Sequence, residues 1–185
     1  IDPFRFIETG IEVALMPAET YTREKSAPGR VATVCAFRCY RPTPHRVYLP
    51  AVYETFLRRI YGRLDDKRDL VVSGDPLPAG RSTRAEMTVF DFAKVARIAV
   101  RESGADLGTC LDRLETEARE KGVMVFQAWL NLAEPWAGKA AEVLREAGYF
   151  FGGPLPRWFD GDGFLMQKLL CPPDFEDIVL HADFA

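Results

Sequence analysis

The most constraining feature of this chain is an almost continuously apolar run, Val123 to Leu132, which lies between two helical patterns. An amphipathic helix is predicted over residues 104–122, where apolar residues recur at the helical period and Gly122 supplies a C-terminal stop. A second helix is predicted from Pro135 to Gly148, because proline is tolerated in the first helical turn. A strand without a polar face is typical of a sheet that is covered on both sides. The run therefore predicts a buried strand between two helices.

Four shorter segments of the second half are predicted as further strands. Residues 84–92 and 94–101 alternate well enough to form two neighbouring strands. Residues 149–152 and 163–170 are predicted as the last two, separated by a turn rich in proline, aspartate and glycine. The order strand, strand, helix, strand, helix, strand, strand predicts βαβ units with short right-handed connections, and hence an α+β (α/β) fold.

The two halves of the chain are separated by residues 74–80 (GDPLPAG), where two prolines and two glycines disfavour regular structure. We therefore predict an N-terminal lobe over residues 1–75, a C-terminal lobe over residues 81–170 and a tail over residues 171–185. Within the N-terminal lobe the predicted elements are strands at 10–16, 31–40, 45–49 and 69–73, with a helix that opens at Pro50.

Charge and hydropathy exclude several classes of partner. The formal net charge is −3, whereas nucleic-acid binding requires a concentrated basic face. No apolar run approaches the roughly 18 to 20 residues that span a bilayer, and the N-terminus has no secretory pattern. We expect no nucleic-acid partner, no membrane partner and a cytoplasmic location. The missing initiator methionine leads us to expect a segment of a longer protein.

The cysteines and histidines do not predict a metal site. The four cysteines form no C-x-x-C pair, and the chain has only two histidines. This spacing does not match a zinc site.

One stretch of the second half carries a family resemblance. A strand ends in Asn131, a helix follows, and Gly148, Tyr149 and Phe150 lead into the next strand. In this order the stretch resembles the GNAT superfamily of acyl-CoA N-acyltransferases. The continuation to Leu169 is similar to GNAT-like regions at the C-terminal end of bacterial proteins that carry an anti-sigma-type ATPase domain. The resemblance implies a mixed central sheet flanked by helices, and a weaker echo in residues 31–73 implies a half-GNAT-like N-terminal lobe.

The resemblance also implies a site for acetyl-CoA at the start of the central helix, where unpaired N–H groups bind pyrophosphate. The family pattern there is Gln or Arg, two residues, Gly, one residue, then Gly or Ala. Arg101 and Gly104 match it, whereas Asp106 does not, and its carboxylate would repel the pyrophosphate. Asp106 is equally explained as a helix cap. The implied cofactor-binding residues are Arg101, Ser103, Gly104, Ala105, Asp106, Leu107, Gly108 and Asn131.

The catalytic groups of the family are less complete in this sequence. Many GNAT enzymes have a tyrosine four residues before the glycine of the Gly-aromatic pair, and it protonates the leaving thiolate. This chain has Leu144 there, and the neighbouring Tyr149 is predicted to be core. A general base must take a proton from the substrate ammonium. The candidates on or next to the central strands are Glu86, Asp91 and Glu102, although each is more simply explained as an ordinary solvent-facing residue.

Two functions follow most directly from these patterns, and a third, an interaction domain that dimerises through exposed strands or aromatics, would need a large apolar surface patch. The first is an N-acyltransferase that transfers an acetyl group from acetyl-CoA to a small-molecule amine. The second is a catalytically degraded, regulatory or ligand-sensing module of a larger bacterial signalling protein, which the departures at Asp106 and Leu144 favour. The upstream domains of that protein would then be its partners. The space between the two central strands and residues 103–108 distinguishes the first two functions. Backbone N–H groups that point into an open cleft there indicate an enzyme, and a cleft filled by side chains indicates a sensor.

Overall fold

A computed structural model of the protein describes residues 6–20 and 29–170. Within these residues the chain forms nine β-strands, three α-helices and two short 3-10 turns at 18–20 and 51–53. The elements in chain order are β1 (Ile7–Pro17), β2 (Arg30–Phe37), β3 (His45–Leu49), α1 (Glu54–Tyr61), β4 (Arg68–Val72), β5 (Arg84–Phe90), β6 (Val95–Glu102), α2 (Leu107–Glu120), β7 (Val125–Asn131), α3 (Ala137–Glu146), β8 (Phe150–Leu155) and β9 (Gly163–Leu169).

The second half of the chain forms a five-stranded mixed sheet in the order β5-β6-β7-β9-β8. Strands β6 and β7 are parallel and are connected by α2, whereas the other neighbours are antiparallel. The apolar run forms β7 at the centre, and it is buried along most of its length. The predicted fold class is therefore confirmed, with a mixed central sheet flanked by helices.

The two faces of the sheet are covered by different parts of the chain. On one face, Ile98 and Phe126 pack with the apolar stripe of α2 and with α3. On the other face, Val95 and Val125 pack against Val13 and its neighbours in β1. Strand β1 pairs with β2 as an antiparallel hairpin. The second cover of β7 is therefore a hairpin rather than a helix.

The N-terminal half contributes a second parallel pair to the same core. Strands β3 and β4 run parallel in register from His45–Arg68 to Leu49–Val72, with α1 as the crossover. The Tyr48 N–H donates to the Leu132 carbonyl at 2.7 Å, which ties β3 to the end of β7. Leu49 and Leu57 are fully buried in the cluster that also contains α2 and α3. The two predicted lobes therefore share one core.

Several elements differ in their ends from the sequence prediction. The helix expected to open at Pro50 begins at Glu54, and the helix expected over residues 104–122 spans Leu107–Glu120. The strand expected over residues 31–40 ends at Phe37. The helix expected to begin at Pro135 begins at Ala137. Strand β8 was expected to end before Pro154, but it continues to Leu155. The reason is that β8 is the edge strand of its sheet, where proline removes no donor that a neighbour needs. No helix in the described part of the chain is long and apolar enough to cross a membrane.

Candidate functional site

The loop between β6 and α2, residues 103–106, is where the sequence placed the cofactor. Its backbone donors already have acceptors within the chain. The Gly104 N–H donates to Thr83 Oγ1 at 3.0 Å, and the Ala105 N–H donates to the Pro78 carbonyl at 3.2 Å. Both acceptors belong to residues 78–83, which we call the covering segment. Two of the N–H groups that would hold a pyrophosphate are thus occupied.

The side chain of Asp106 fastens the covering segment to the loop. Its Oδ1 accepts the Thr83 N–H at 2.8 Å and the Thr83 hydroxyl at 2.8 Å. These hydrogen bonds lower the pKa of Asp106 below its ordinary value. The carboxylate makes no capping hydrogen bond to the helix, although Asp106 occupies the N-cap position. The capping explanation is therefore wrong, and Asp106 closes the loop instead.

Gly104 is required by the close approach of the covering segment. A Cβ atom at Gly104 would overlap the carbonyl group of Arg81 and contact the Asp106 carboxylate. In a cofactor loop, a glycine at this place would admit the pyrophosphate. Here the same space is filled by protein backbone.

The remaining implied cofactor residues have local partners. Arg101 is 3.3 Å from Glu86 and its guanidinium lies over the Phe159 ring at 5.5 Å. Ser103 and Leu107 are buried, and Gly108 lies in the first turn of α2, near Val143. Asn131 accepts the Ala133 N–H at 3.0 Å. Strands β6 and β7 are paired up to Val100 and Leu130, close to the ends of both strands.

The three candidate bases are not brought together. Glu86 pairs with Arg101, and Glu102 pairs with Arg84 at 3.1 Å, both on the exposed surface. Asp91 lies in the turn between β5 and β6, at the opposite end of β6 from the loop. A strand of eight residues extends about 26 Å, so Asp91 is far from residues 103–106.

A buried core residue occupies the position at which many GNAT enzymes have the tyrosine that protonates the thiolate. Leu144 is fully buried in α3. Tyr149 is also buried, as predicted, and burial raises its pKa well above the ordinary value, with Glu115 adding to the effect. A tyrosine held in this neutral form inside the core has no open path to a substrate.

A buried charge cluster was missed by the sequence analysis. Arg68 donates to Asp162 at 2.6 Å and lies 3.5 Å from Asp66, and the side chains of all three are almost completely buried. Arg157 donates to Asp66 at 2.8 Å, and its backbone N–H donates to Asp162 at 3.0 Å. His45 Nε2 lies 3.0 Å from Asp162. The cluster joins the β3–β4 pair to the connection between β8 and β9.

The signals for this cluster were present in the sequence but pointed elsewhere. Asp66 follows α1 in the connection to β4, and Asp162 lies in the turn between β8 and β9, so each looks like an ordinary turn residue. Arg68 and Asp162 are 94 positions apart, and no local sequence pattern indicates that they are in contact. Only the topology brings Arg68 and Asp162 together.

Opposing effects set the pKa of Asp162. Burial alone would raise it. The hydrogen bond and positive charge of Arg68 outweigh burial, with further contributions from the Arg157 N–H and His45, so the pKa of Asp162 lies below its ordinary value. The carboxylate is therefore held ionised inside the protein.

This lowered pKa predicts a loss of stability in acid. A carboxyl group whose pKa is lower in the folded state stabilises that state above its unfolded pKa, which is about 3.9. The contribution of Asp162 disappears as the pH falls through the folded value. We expect the free energy of unfolding, measured by urea titration, to fall below about pH 4. The Asp162→Asn variant should be less stable at pH 7, and its free energy of unfolding should fall less steeply in acid. If the free energy of unfolding fell as steeply as in the wild-type chain, Asp162 would not be the source of the acid sensitivity.

A cavity of about 410 Å³ lies beside the charge cluster. Its wall comes from the end of β2, the connection from α1 to β4 and the connection from β8 to β9. Arg68 and Arg157 of the cluster form part of this wall. Within residues 6–20 and 29–170, no three His, Cys, Asp or Glu side chains are arranged so that they could hold a metal ion.

Comparison with known proteins gives partial similarity to N-acetyltransferases. No family model matches the chain, and no curated protein matches it. The ribosomal-protein-alanine N-acetyltransferase of Brucella melitensis is 25% identical, over 50% of this chain and 67% of that one, with a TM-score of 0.35. The ribosomal-protein-S18-alanine N-acetyltransferase of Escherichia coli is 15% identical, over 54% of this chain and 67% of that one, with a TM-score of 0.35.

These similarities are limited to about half of the chain. Neither supports the expected resemblance to proteins that carry an anti-sigma-type ATPase domain.

Proposed function

We propose that this chain is a GNAT-like ligand-binding module that has lost acyl transfer. One observation carries the proposal: the covering segment occupies the loop where acetyl-CoA would bind. Gly104 and Ala105 donate to Thr83 and Pro78, and Asp106 holds Thr83 through two hydrogen bonds. A pyrophosphate would have to displace these contacts and approach a carboxylate.

The described residues near this loop also offer neither a proton donor for the thiolate nor an unpaired general base. Leu144 cannot donate a proton to a leaving thiolate. Glu86 and Glu102 are ion-paired with arginines, and Asp91 lies at the other end of its strand. A general base must lie within hydrogen-bond reach of the proton it removes, directly or through one water. The regulatory role in a longer, cytoplasmic signalling protein belongs to the same proposal and rests on the sequence resemblance.

Calorimetric titration with acetyl-CoA tests the proposal. We expect no saturable heat from the wild-type chain at about 1 mM cofactor, which corresponds to binding weaker than about −4 kcal/mol. The double variant Thr83→Ala with Asp106→Gly removes the hydrogen bonds of the Asp106 side chain to Thr83 and also removes the negative charge of Asp106. It should bind acetyl-CoA at least about tenfold more tightly than the wild-type chain does. Asp75→Asn is the control, because it removes an exposed carboxylate outside the loop.

The alternative outcome is equally clear. Micromolar binding by the wild-type chain would favour the N-acyltransferase, and a screen of small amines would follow. No binding by the double variant would mean that residues 103–108 are not a relic of a cofactor loop.

A further inference from the structure

The ionised side chains around the cavity beside the charge cluster compensate one another. Arg68 and Arg157 of the cluster line the cavity, and their two positive charges are matched by the carboxylates of Asp66 and Asp162. The third arginine of the wall, Arg38, also has a partner of its own. A charged ligand would therefore lose its hydration without meeting an unpaired counter-charge among the described residues. The wall favours a ligand without net charge.

The carboxylate of the wall is already saturated, whereas one donor is free. Asp66 Oδ1 accepts the Thr43 N–H at 3.0 Å, and Asp66 Oδ2 accepts Arg157 Nη2 at 2.8 Å. Arg157 also donates from Nε to Asp66 and from Nη2 to the Thr43 carbonyl. Its Nη1 contacts no acceptor among the described residues, and the side chain is 33% exposed. A ligand here would be held by an acceptor of its own.

Arg157 is held in place before any ligand arrives. Its φ is 59°, in the left-handed region that non-glycine residues rarely adopt. Such strain persists where the surroundings over-determine the conformation. Here the Arg157 N–H donates to Asp162, and the guanidinium donates to Asp66. Binding at Nη1 would therefore cost little side-chain entropy.

The rest of the wall provides apolar and aromatic surface. Its side chains are those of Phe37, Cys39, Tyr40, Leu64, Pro156 and Trp158. Tyr40 is 73% exposed and Trp158 is 44% exposed, and Trp158 packs against Trp129 with ring centroids 5.0 Å apart. Exposed aromatic rings of this kind are stabilised when a flat apolar ring covers them. A volume of about 410 Å³ also lies within the range of small-molecule sites, roughly 300 to 1,000 Å³.

We propose that this cavity binds a neutral, planar, bicyclic aromatic molecule that carries a carbonyl group. The carbonyl oxygen accepts the free N–H of Arg157 Nη1, and the rings cover Tyr40 and Trp158. This assignment rests on the proposed ligand-binding function and names the class of ligand. The cavity and the loop at residues 103–106 share no residue, so the failure of one proposal is distinguishable from the failure of the other.

Calorimetric titration of the full chain with three related probes tests the assignment. Coumarin is neutral and has a ring carbonyl, 2H-chromene has the same ring system without the carbonyl, and coumarin-3-carboxylate adds a negative charge. We expect coumarin to bind with a dissociation constant on the order of 100 μM. 2H-chromene should bind at least about fivefold more weakly, because it has no acceptor for Arg157. Coumarin-3-carboxylate should bind no more tightly than coumarin, because no counter-charge is free.

Two variants change the cavity without altering the charge cluster. Tyr40→Ala removes an exposed ring and should weaken coumarin binding about fivefold. Cys39→Phe places a larger side chain in the wall and should abolish saturable binding. The matched control is Phe56→Ala, which removes a ring that is 63% exposed on α1, outside the cavity, and should leave the affinity unchanged. Circular dichroism and the melting temperature confirm that each variant is folded.

Arg157→Gln isolates the hydrogen bond to the carbonyl. In this variant the difference in affinity between coumarin and 2H-chromene should disappear, because the group that distinguishes them is gone. A general loss of affinity through the contact with Asp66 would weaken both probes equally, so it leaves the wild-type difference in place.

The proposal is overturned if coumarin does not saturate the wild-type chain, or if 2H-chromene binds as tightly as coumarin. It is also overturned if coumarin-3-carboxylate binds at least about tenfold more tightly than coumarin, or if Cys39→Phe and Tyr40→Ala both bind coumarin as Phe56→Ala does. Saturable binding of acetyl-CoA in a parallel titration would instead refute the proposed function of the loop and leave the coumarin result standing.

Discussion

Replacing Arg68 by methionine is expected to lower the free energy of unfolding by about 3–5 kcal/mol. The arginine is the shared partner of Asp66 and Asp162, and all three side chains are almost completely removed from solvent. Methionine fills a similar volume but removes the main positive partner of Asp162, and it leaves Asp66 with Arg157 alone. Breaking a buried pair in this way costs far more than the net value of the intact pair. Urea titration at pH 7 measures the change.

The matched control is Arg46→Met, which removes an exposed pair with Asp69 whose two side chains are each 58% exposed. Surface pairs of this kind contribute at most about 1 kcal/mol. The double variant Arg68→Met with Asp162→Asn should lose less than the sum of the two single changes, by about 1–3 kcal/mol, because the two side chains interact directly. A loss for Arg68→Met no larger than that for Arg46→Met would show that the cluster is not a buried charge network in solution.

Replacing Gly153 by alanine is expected to cost about 2–4 kcal/mol. Gly153 has a φ of 129°, a backbone conformation that residues other than glycine rarely adopt. A Cβ atom there would overlap the backbone of Thr9 and Gly10 in β1. The substitution therefore adds backbone strain and also pushes the N-terminal hairpin away from the sheet. Thermal or urea unfolding of the variant measures the loss.

Gly80→Ala is the control for this substitution. No atom lies within 4 Å of the position that a Cβ would take at Gly80, and that residue does not have a positive φ. Its change in unfolding free energy should stay within about 0.5 kcal/mol. Equal effects at Gly153 and Gly80 would mean that β1 does not pack against β8 as described.

The order of elements was predictable because each carries a local signal. The run that forms β7 has no polar face, and the helix that forms α2 repeats its apolar residues at the helical period. The extension of β8 through Pro154 was not predictable, since it depends on β8 being an edge strand. Strand order is a property of the whole sheet, so the residues next to Pro154 in the sequence do not indicate that the strand lies at an edge.

The sequence singled out Asp106 without indicating its hydrogen-bond partner. The sequence identified Asp106 as the residue that disagrees with a cofactor loop, but local spacing suggested only a helix cap. Its true partner, Thr83, is 23 residues away, so no pattern around α2 indicates it. The charge cluster was missed for the same reason, because Arg68 and Asp162 are 94 residues apart.

Closure of the loop at residues 103–106 by the chain itself can be tested by amide NMR. The resonances of Gly104 and Ala105 would be followed in the ¹⁵N-labelled chain while acetyl-CoA is added to about 1 mM. We expect both amides to exchange slowly with solvent, because they donate to Thr83 and Pro78, and neither resonance to move as cofactor is added. Fast exchange at these two amides, with saturable shifts on titration, would contradict it and would identify an open acyl-CoA site.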